Sequence, residues 1–228
     1  EKKNFYINGQ WIEPKNQKDL KVIDPSTEKP CAVISLGDKE DVHLAVTAAK
    51  KAFSNWGFTS KEERLKHLEK LYELYKKRWN DISEAITLEM GAPKDFSSKL
   101  QTGTGASHIK SFIRYLKEFE FEKPLGDHAP NQRLIYEPKG VCALITPWNW
   151  PINQVNLKVI PALASACTVV LKPSEIAPLS SMLLAEMIDE ARFPPGVFNL
   201  VNGNGEITGN ALTSHPDINM ISFTGSTR

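Results

Sequence analysis

The chain has 228 residues, 41% of them hydrophobic and 24% charged, the balance of an ordinary globular protein. Its formal net charge of +1 leaves no electrostatic case for nucleic acid or an anionic membrane as a partner. No apolar run approaches the length that spans a bilayer, and Glu1-Lys2-Lys3-Asn4 lacks the apolar core of a signal peptide. The three cysteines, Cys31, Cys142 and Cys167, stand far apart without metal-ligand spacing, which suits a reducing, cytoplasmic compartment. The five histidines are equally scattered, and no metal site is expected from them.

Phe5 to Ile12 reads as a hairpin, because Asn8-Gly9 suits a tight turn with positive φ between apolar flanks. Val22-Ile23 runs into the turn Asp24-Pro25-Ser26-Thr27, and a strand through Ala32 to Leu36 follows. Asp38 opens a helix whose apolar face is Val42, Ala45, Val46, Ala49 and Phe53. Ser60 opens the next, with Glu63 placed for a capping box and Leu65, Leu68, Tyr72, Tyr75 and Trp79 as the expected buried stripe. A third helix from about Asp81 to Met90 should stop at Gly91, since glycine takes the left-handed conformation and Pro93 blocks continuation. A fourth segment, Phe96 to Phe119, carries Ile109, Phe112, Ile113 and Leu116, with Gly103 and Gly105 as possible interruptions. Pro124 to Asn131 is a polar loop, and Arg133 to Glu137 reads as the strand of an extended arm.

From Val141 the pattern changes. Apolar strands at Val141–Ile145, Thr168–Leu171, Val197–Val201 and Ile218–Phe223 alternate with helical stretches near Ile152–Ala166, Leu179–Ala191 and Ile207–Leu212. That alternation predicts an α/β fold, a doubly wound parallel sheet with helices on both faces. Such sheets bind ligands beyond the carboxyl ends of their strands. The loops at those ends are Thr146–Pro151, Lys172–Glu175, Asn202–Gly209 and the turn at Thr224-Gly225-Ser226.

Thr146-Pro147-Trp148-Asn149-Trp150-Pro151 is a stiff loop with two indoles around one carboxamide. Asn149 is either an oxyanion donor or only a cap for the following helix. Glu175 stands where a carboxylate would accept from both hydroxyls of an adenosine ribose and repel a 2′-phosphate; Lys172 would donate to the same ribose or approach a phosphate. The alternative is a surface charge pair of the two, with Ser174 capping the next helix. Gly203-Asn204-Gly205-Glu206-Ile207-Thr208-Gly209 is glycine-rich, but its spacing departs from the usual dinucleotide fingerprint, and it serves equally as a loop that starts a helix. Phe223-Thr224-Gly225-Ser226-Thr227 ends a strand and suits either a pyrophosphate at a helix N-terminus or a plain cap. Cys142 and Cys167 fit buried small-hydrophobe roles better than catalysis.

The Thr146–Pro151 loop, Lys172-Pro173-Ser174-Glu175, Pro195-Gly196-Val197-Phe198-Asn199 and Phe223-Thr224-Gly225-Ser226-Thr227 occur in an order and spacing that resemble the NAD(P)-dependent aldehyde dehydrogenase superfamily, specifically its N-terminal, cofactor-binding half. The hairpin around Ile7-Asn8-Gly9-Gln10-Trp11 and the run Leu88-Glu89-Met90-Gly91 add to it. The resemblance implies a Rossmann-like core with N-terminal helices and a β-arm, an incomplete fold of the aldehyde dehydrogenase type. The parts expected from it are residues 1–122, an arm at 123–140 and the NAD-binding core at 141–228. It also implies oxidation of a small-molecule aldehyde by a cysteine thiolate, hydride transfer to NAD, and thioester hydrolysis by a glutamate base.

By that resemblance Asn149 is the oxyanion donor and Lys158 a lysine that assists proton transfer. Thr146, Pro147, Trp148, Asn149, Lys172, Ser174, Glu175, Gly205, Gly209, Phe223, Gly225 and Ser226 contact the cofactor. Trp150, Gln154 and Leu157 stand at the mouth of the substrate tunnel. Family members run to roughly twice this length, so the nucleophilic cysteine and general-base glutamate are expected beyond Arg228. The 228-residue chain alone is then expected to be inactive and poorly stable, with a homo-dimer or homo-tetramer expected of the complete protein. Two other functions remain: a non-catalytic nucleotide-binding module, or a relative that acylates coenzyme A or reduces an acyl phosphate.

Overall fold

The computed structural model describes residues 1–226. The strands and helices, in chain order, are β1 (Phe5–Ile7), β2 (Gln10–Ile12), β3 (Asp19–Asp24), β4 (Lys29–Ser35), α1 (Lys39–Trp56), α2 (Lys61–Lys77), α3 (Trp79–Met90) and α4 (Lys94–Phe96). A π-helical segment, Ser97–Thr102, runs into α5 (Gly103–Glu118). Then come β5 (Glu122–Pro124), β6 (Arg133–Ile135), β7 (Val141–Ile145), α6 (Pro151–Ala164), β8 (Thr168–Lys172), α7 (Leu179–Glu190) and β9 (Phe198–Leu200). A second π segment, Gly205–Gly209, precedes α8 (Asn210–Thr213) and β10 (Met220–Phe223). The helix start expected after the Gly225 turn falls on Thr227 and Arg228, outside the described residues.

The main sheet has the strand order β10-β7-β8-β9-β1-β2. β7 to β10 are mutually parallel, as the sequence pattern predicts. The N-terminal hairpin extends this sheet: β1 pairs antiparallel with β9 through Tyr6 and Leu200. The Asn8-Gly9 turn has both residues at positive φ. Asn199 locks the hairpin on, its Oδ1 accepting from Asn8 N at 3.0 Å while its Nδ2 donates to Val169 O and Gly196 O. β3–β4 and β5–β6 form separate two-stranded sheets.

Alternation along the buried strands splits the core. Val141, Ala143, Val170 and Val201 join Val42, Ala45, Val46 and Ala49 of α1 on one face. Cys142, Leu144, Val169, Leu171 and Leu200 face α6 and α7 on the other. Helices therefore cover both faces, the doubly wound arrangement.

Several local expectations shift. The capping box belongs to α1: Asp38 accepts from Glu40 N and Asp41 N, and Asp41 accepts in return from Asp38 N. Ser60 accepts from Glu63 N without a return bond, because Glu63 faces solvent while Asp41 is buried and also held by Lys15 N. The buried stripe of α2 is Arg64, Leu68, Leu71, Leu74 and Tyr75, with Leu65 and Tyr72 only half-buried. The stripe is turned because α2 packs against α5, α6 and α7 together. Arg64 is buried because its Nε donates to Ala164 O at the carboxyl end of α6. Gly103 and Gly105 do not interrupt their helix. A Cβ on Gly105 would lie 2.3 Å from the Tyr75 hydroxyl, so its glycine serves close packing. Gly91 does end α3, at φ 73°.

Glu89, at the end of α3, is fully buried and caps α7, accepting from Leu179 N, Ser180 N and the Ser180 hydroxyl. α7 has no side-chain cap of its own. Burial outweighs these bonds and lifts the carboxyl from its ordinary 4.5 to about 7. The folded chain therefore holds an extra proton between those two values, so stability falls as pH rises through the window. Urea unfolding should show this loss, roughly 3 kcal/mol at most, between pH 4.5 and 7, and Glu89→Gln should remove the slope.

Candidate active-site edge of the sheet

The strand order reverses at β7. Chain progress runs from β7 through β8 to β9 in one direction, and β10 then returns to pair with β7 on its other side. Such a switch point opens a crevice at the carboxyl ends of the two strands. Thr146 N donates to Lys172 O and Thr224 N donates to Ile145 O, so the loops after β7, β8 and β10 are hydrogen-bonded side by side.

In the loop after β7, Thr146 is buried, Pro147 is half-buried, and Trp148 and Asn149 are exposed. The cap of α6 is Trp150, with no side-chain hydrogen bond, and Pro151 fills the first turn. Asn149 thus does not cap the helix, and its carboxamide stays available. The Thr146 hydroxyl is buried without a hydrogen-bond partner. Trp150 meets Phe96 edge-on, with ring centroids 5.4 Å apart.

In the loop after β8, Lys172 is 3% exposed. Its Nζ donates to Pro173 O at 3.0 Å and to Gly203 O, and lies 3.6 Å from Glu175 Oε2. Burial lowers its pKa, and Glu175 partly restores it. The Lys172–Glu175 pair therefore joins a buried ammonium to a half-exposed carboxylate, and Lys172 splices the loop after β8 to the loop after β9. Ser174 accepts from Ile176 N and does not cap α7, whose cap is Pro178. Glu175 remains half-exposed.

After β9, Asn204 caps the π segment by accepting from Ile207 N at 2.9 Å. Gly37 N donates to Asn202 O, and the Thr208 hydroxyl donates to Gly37 O, which ties this segment to the start of α1. Gly205 is exposed, and a Cβ there would meet nothing within 4 Å; at Gly209 it would make ordinary contact with Asn204 O. Packing does not demand glycine at either place; Gly209 is buried, and the exposed surface at Gly205 is open. After β10, Phe223, Gly225 and Ser226 are all exposed.

Gln154, Leu157 and Lys158 line one cleft of about 420 Å³ with Ser222 and Thr224, whereas Trp150 does not border it. Lys158 donates to the Ser222 hydroxyl at 2.7 Å, and burial lowers its pKa. The cysteines that look isolated in sequence come together in space: Cys142 of β7 and Cys167, just before β8, are both buried against one cleft, and their interaction raises the pKa of the Cys142 thiol and lowers that of Cys167. Phe96 and Ser222 escape sequence reading. Phe96 sits in a short helix with no readable periodicity, and Ser222 looks like any residue of a strand.

The profile of the Aldehyde dehydrogenase family matches residues 11–228. A 3-succinoylsemialdehyde-pyridine dehydrogenase of a Pseudomonas species is 50% identical over 99% of this chain and 47% of its own length. An aldehyde dehydrogenase from Bartonella henselae superposes with a TM-score of 0.98 at 57% identity, over 99% of this chain and 48% of that one. A variant of aldehyde dehydrogenase C from Pseudomonas syringae, complexed with NAD+ and octanal, gives 0.93 at 43% identity over 96% of this chain and 44% of that one. The chain belongs to the aldehyde dehydrogenase family and spans about half the length of the relatives it matches. No helix among the described residues is long and apolar enough to cross a membrane.

Removing the Lys172 ammonium strands two buried carbonyls. Lys172→Met should therefore cost about 2 kcal/mol in urea unfolding, within the 1–3 kcal/mol typical of an unsatisfied buried group.

Proposed function

We propose that the complete protein oxidises an aldehyde to a carboxylic acid with NAD as hydride acceptor, and that this chain supplies the NAD-binding half and the oxyanion donor. The observation that carries the reading is Asn149. It is a carboxamide relieved of helix capping, exposed at a switch point, in a chain that belongs to the aldehyde dehydrogenase family.

The residues present fit NAD. The unpartnered Thr146 hydroxyl, the half-exposed Glu175 carboxylate and the open surface at Gly205 follow successive strands along one edge. Thr146, Pro147, Trp148, Lys172, Ser174, Glu175, Gly205, Gly209, Phe223, Gly225 and Ser226 would hold it. When bound, NAD accepts the hydride. Glu175 accepts from the ribose hydroxyls and turns away a 2′-phosphate. Lys172 pairs with Glu175 and fixes the loop beside it, a supporting role because its ammonium is already engaged. Asn149 Nδ2 donates to the oxyanion formed when a thiolate adds to the aldehyde, in place from the start and without reorganisation. Lys158, its proton loosened by burial, stands beside Gln154 and Leu157 to assist proton transfer.

The thiolate comes from outside this chain. Cys142 is buried within β7, Cys167 is buried just before β8 and Cys31 lies in β4, so the 228 residues alone produce no NADH from aldehyde. The Pseudomonas relative is a dehydrogenase of a semialdehyde that carries a pyridine ring, and Trp150, outside the Gln154–Lys158 cleft, is the aromatic side chain next to Asn149 in the same loop. An aldehyde bearing a planar aromatic group is the favoured substrate class. A cytoplasmic homo-dimer or homo-tetramer, with the arm at 123–140 as its contact and 141–228 as the cofactor core, completes the proposal.

In the complete enzyme, Asn149→Ala should lower kcat by about 10²–10³ with little change in the KM for NAD. A kcat within twofold of the parent, by steady-state NADH formation, would remove Asn149 from the oxyanion role. Glu175→Ala should raise the NADP/NAD ratio of kcat/KM about tenfold by removing a like charge from the 2′-phosphate. An unchanged ratio would mean that Glu175 does not read the ribose.

A further inference from the structure

Phe96 belongs to no motif, yet it is the residue that meets the Trp150 ring. It closes α4 just before the π-helical segment Ser97–Thr102. π segments are rare, and they cost regular hydrogen bonding unless their surroundings impose them. Here neighbouring side chains impose it. The Thr87 hydroxyl donates to Ser97 Oγ at 2.8 Å, and Ser97 Oγ donates to Ala92 O. Trp79 Nε1 donates to Ser98 Oγ at 3.0 Å, Gln101 reaches Met90 Sδ, and the Tyr75 hydroxyl donates to Thr102 O. Ser97, Gln101 and Thr102 are buried, so the segment is a fixed part of the scaffold, and it packs directly against α6.

The extra residue of a π turn rotates what precedes it relative to the helix that follows. α5 is fixed on α6 through Asn156 Nδ2, which donates to Gly105 O at 3.1 Å. The π segment thus sets where Phe96 stands once α5 is seated. It stands edge-on to Trp150, at an interplanar angle of 68°. Trp150 makes no side-chain hydrogen bond to the helix it caps, and the Phe96 ring edge packs against its indole.

We propose that Phe96 is a positioning residue for substrate specificity: held by the π segment, it fixes the Trp150 ring so that the indole face receives the planar group of an aromatic aldehyde. The inference rests on the reading of Trp150 given under Proposed function. Phe96 touches neither the reacting carbonyl nor the cofactor and acts only through Trp150.

The test compares kcat/KM for benzaldehyde with that for propanal in the complete enzyme. Phe96→Ala should lower the benzaldehyde/propanal ratio roughly tenfold, the loss carried in the KM for benzaldehyde, with the KM for NAD unchanged. Phe96→Tyr, which keeps the ring edge, should retain the parental ratio. Thermal unfolding of both variants confirms that the fold persists. A ratio unchanged in Phe96→Ala, or a Tyr variant as impaired as the Ala variant, overturns the inference and leaves the proposed reaction standing. A parental enzyme inert towards both aldehydes overturns the two together.

Discussion

The parallel pairing of β7 with two partners is the constraint on which the rest depends. Cys142 to Ile145 align with Val169 to Lys172 on one side and with Met220 to Phe223 on the other. Because both pairings are parallel and in step, three loops leave the sheet at one level. A slip of one residue in either pairing would turn β7's alternating side chains to the wrong helical layer. Val141 and Ala143 would then leave the α1 face, and Cys142 and Leu144 the α6–α7 face. The crevice is accordingly specified by core packing rather than by the loops that line it.

Around this frame, buried polar groups fasten loops that apolar packing cannot hold. Lys172 joins the loops after β8 and β9. Asn199 joins the hairpin to β8 and β9. Glu89 supplies the start of α7 with the cap that it lacks. Each is a side chain whose removal leaves unpaired backbone groups in the interior. These fastenings differ from the exposed ion pairs on the helices, such as Lys99–Asp95, which solvent screens and which add little.

Family membership and geometry meet at Asn149. The family profile covers nearly the whole chain. The geometry adds that Trp150 and Pro151 begin α6 without any help from Asn149. A residue freed from structural duty on an exposed loop is available for chemistry. Lys172 illustrates the converse: its ammonium is so fully engaged that its contribution lies in holding Glu175 and the neighbouring loop.

The four parallel strands, the helices between them and the hairpin turn were legible in the sequence because each rests on local signals: continuous apolar runs, helical spacing, Asn8-Gly9, Gly91. The loops of the site were legible for a related reason, since doubly wound sheets place ligands at strand ends and the motif residues fall there. Tertiary structure decided what local signals do not carry. It turned the buried stripe of α2, moved the capping box from Ser60 to Asp38, and sent Glu89 to cap another helix. It brought Cys142 against Cys167 and set Phe96 against Trp150. In each case the partners are distant in the chain, and only the packing of whole elements selects which of several chemically suitable neighbours a side chain meets.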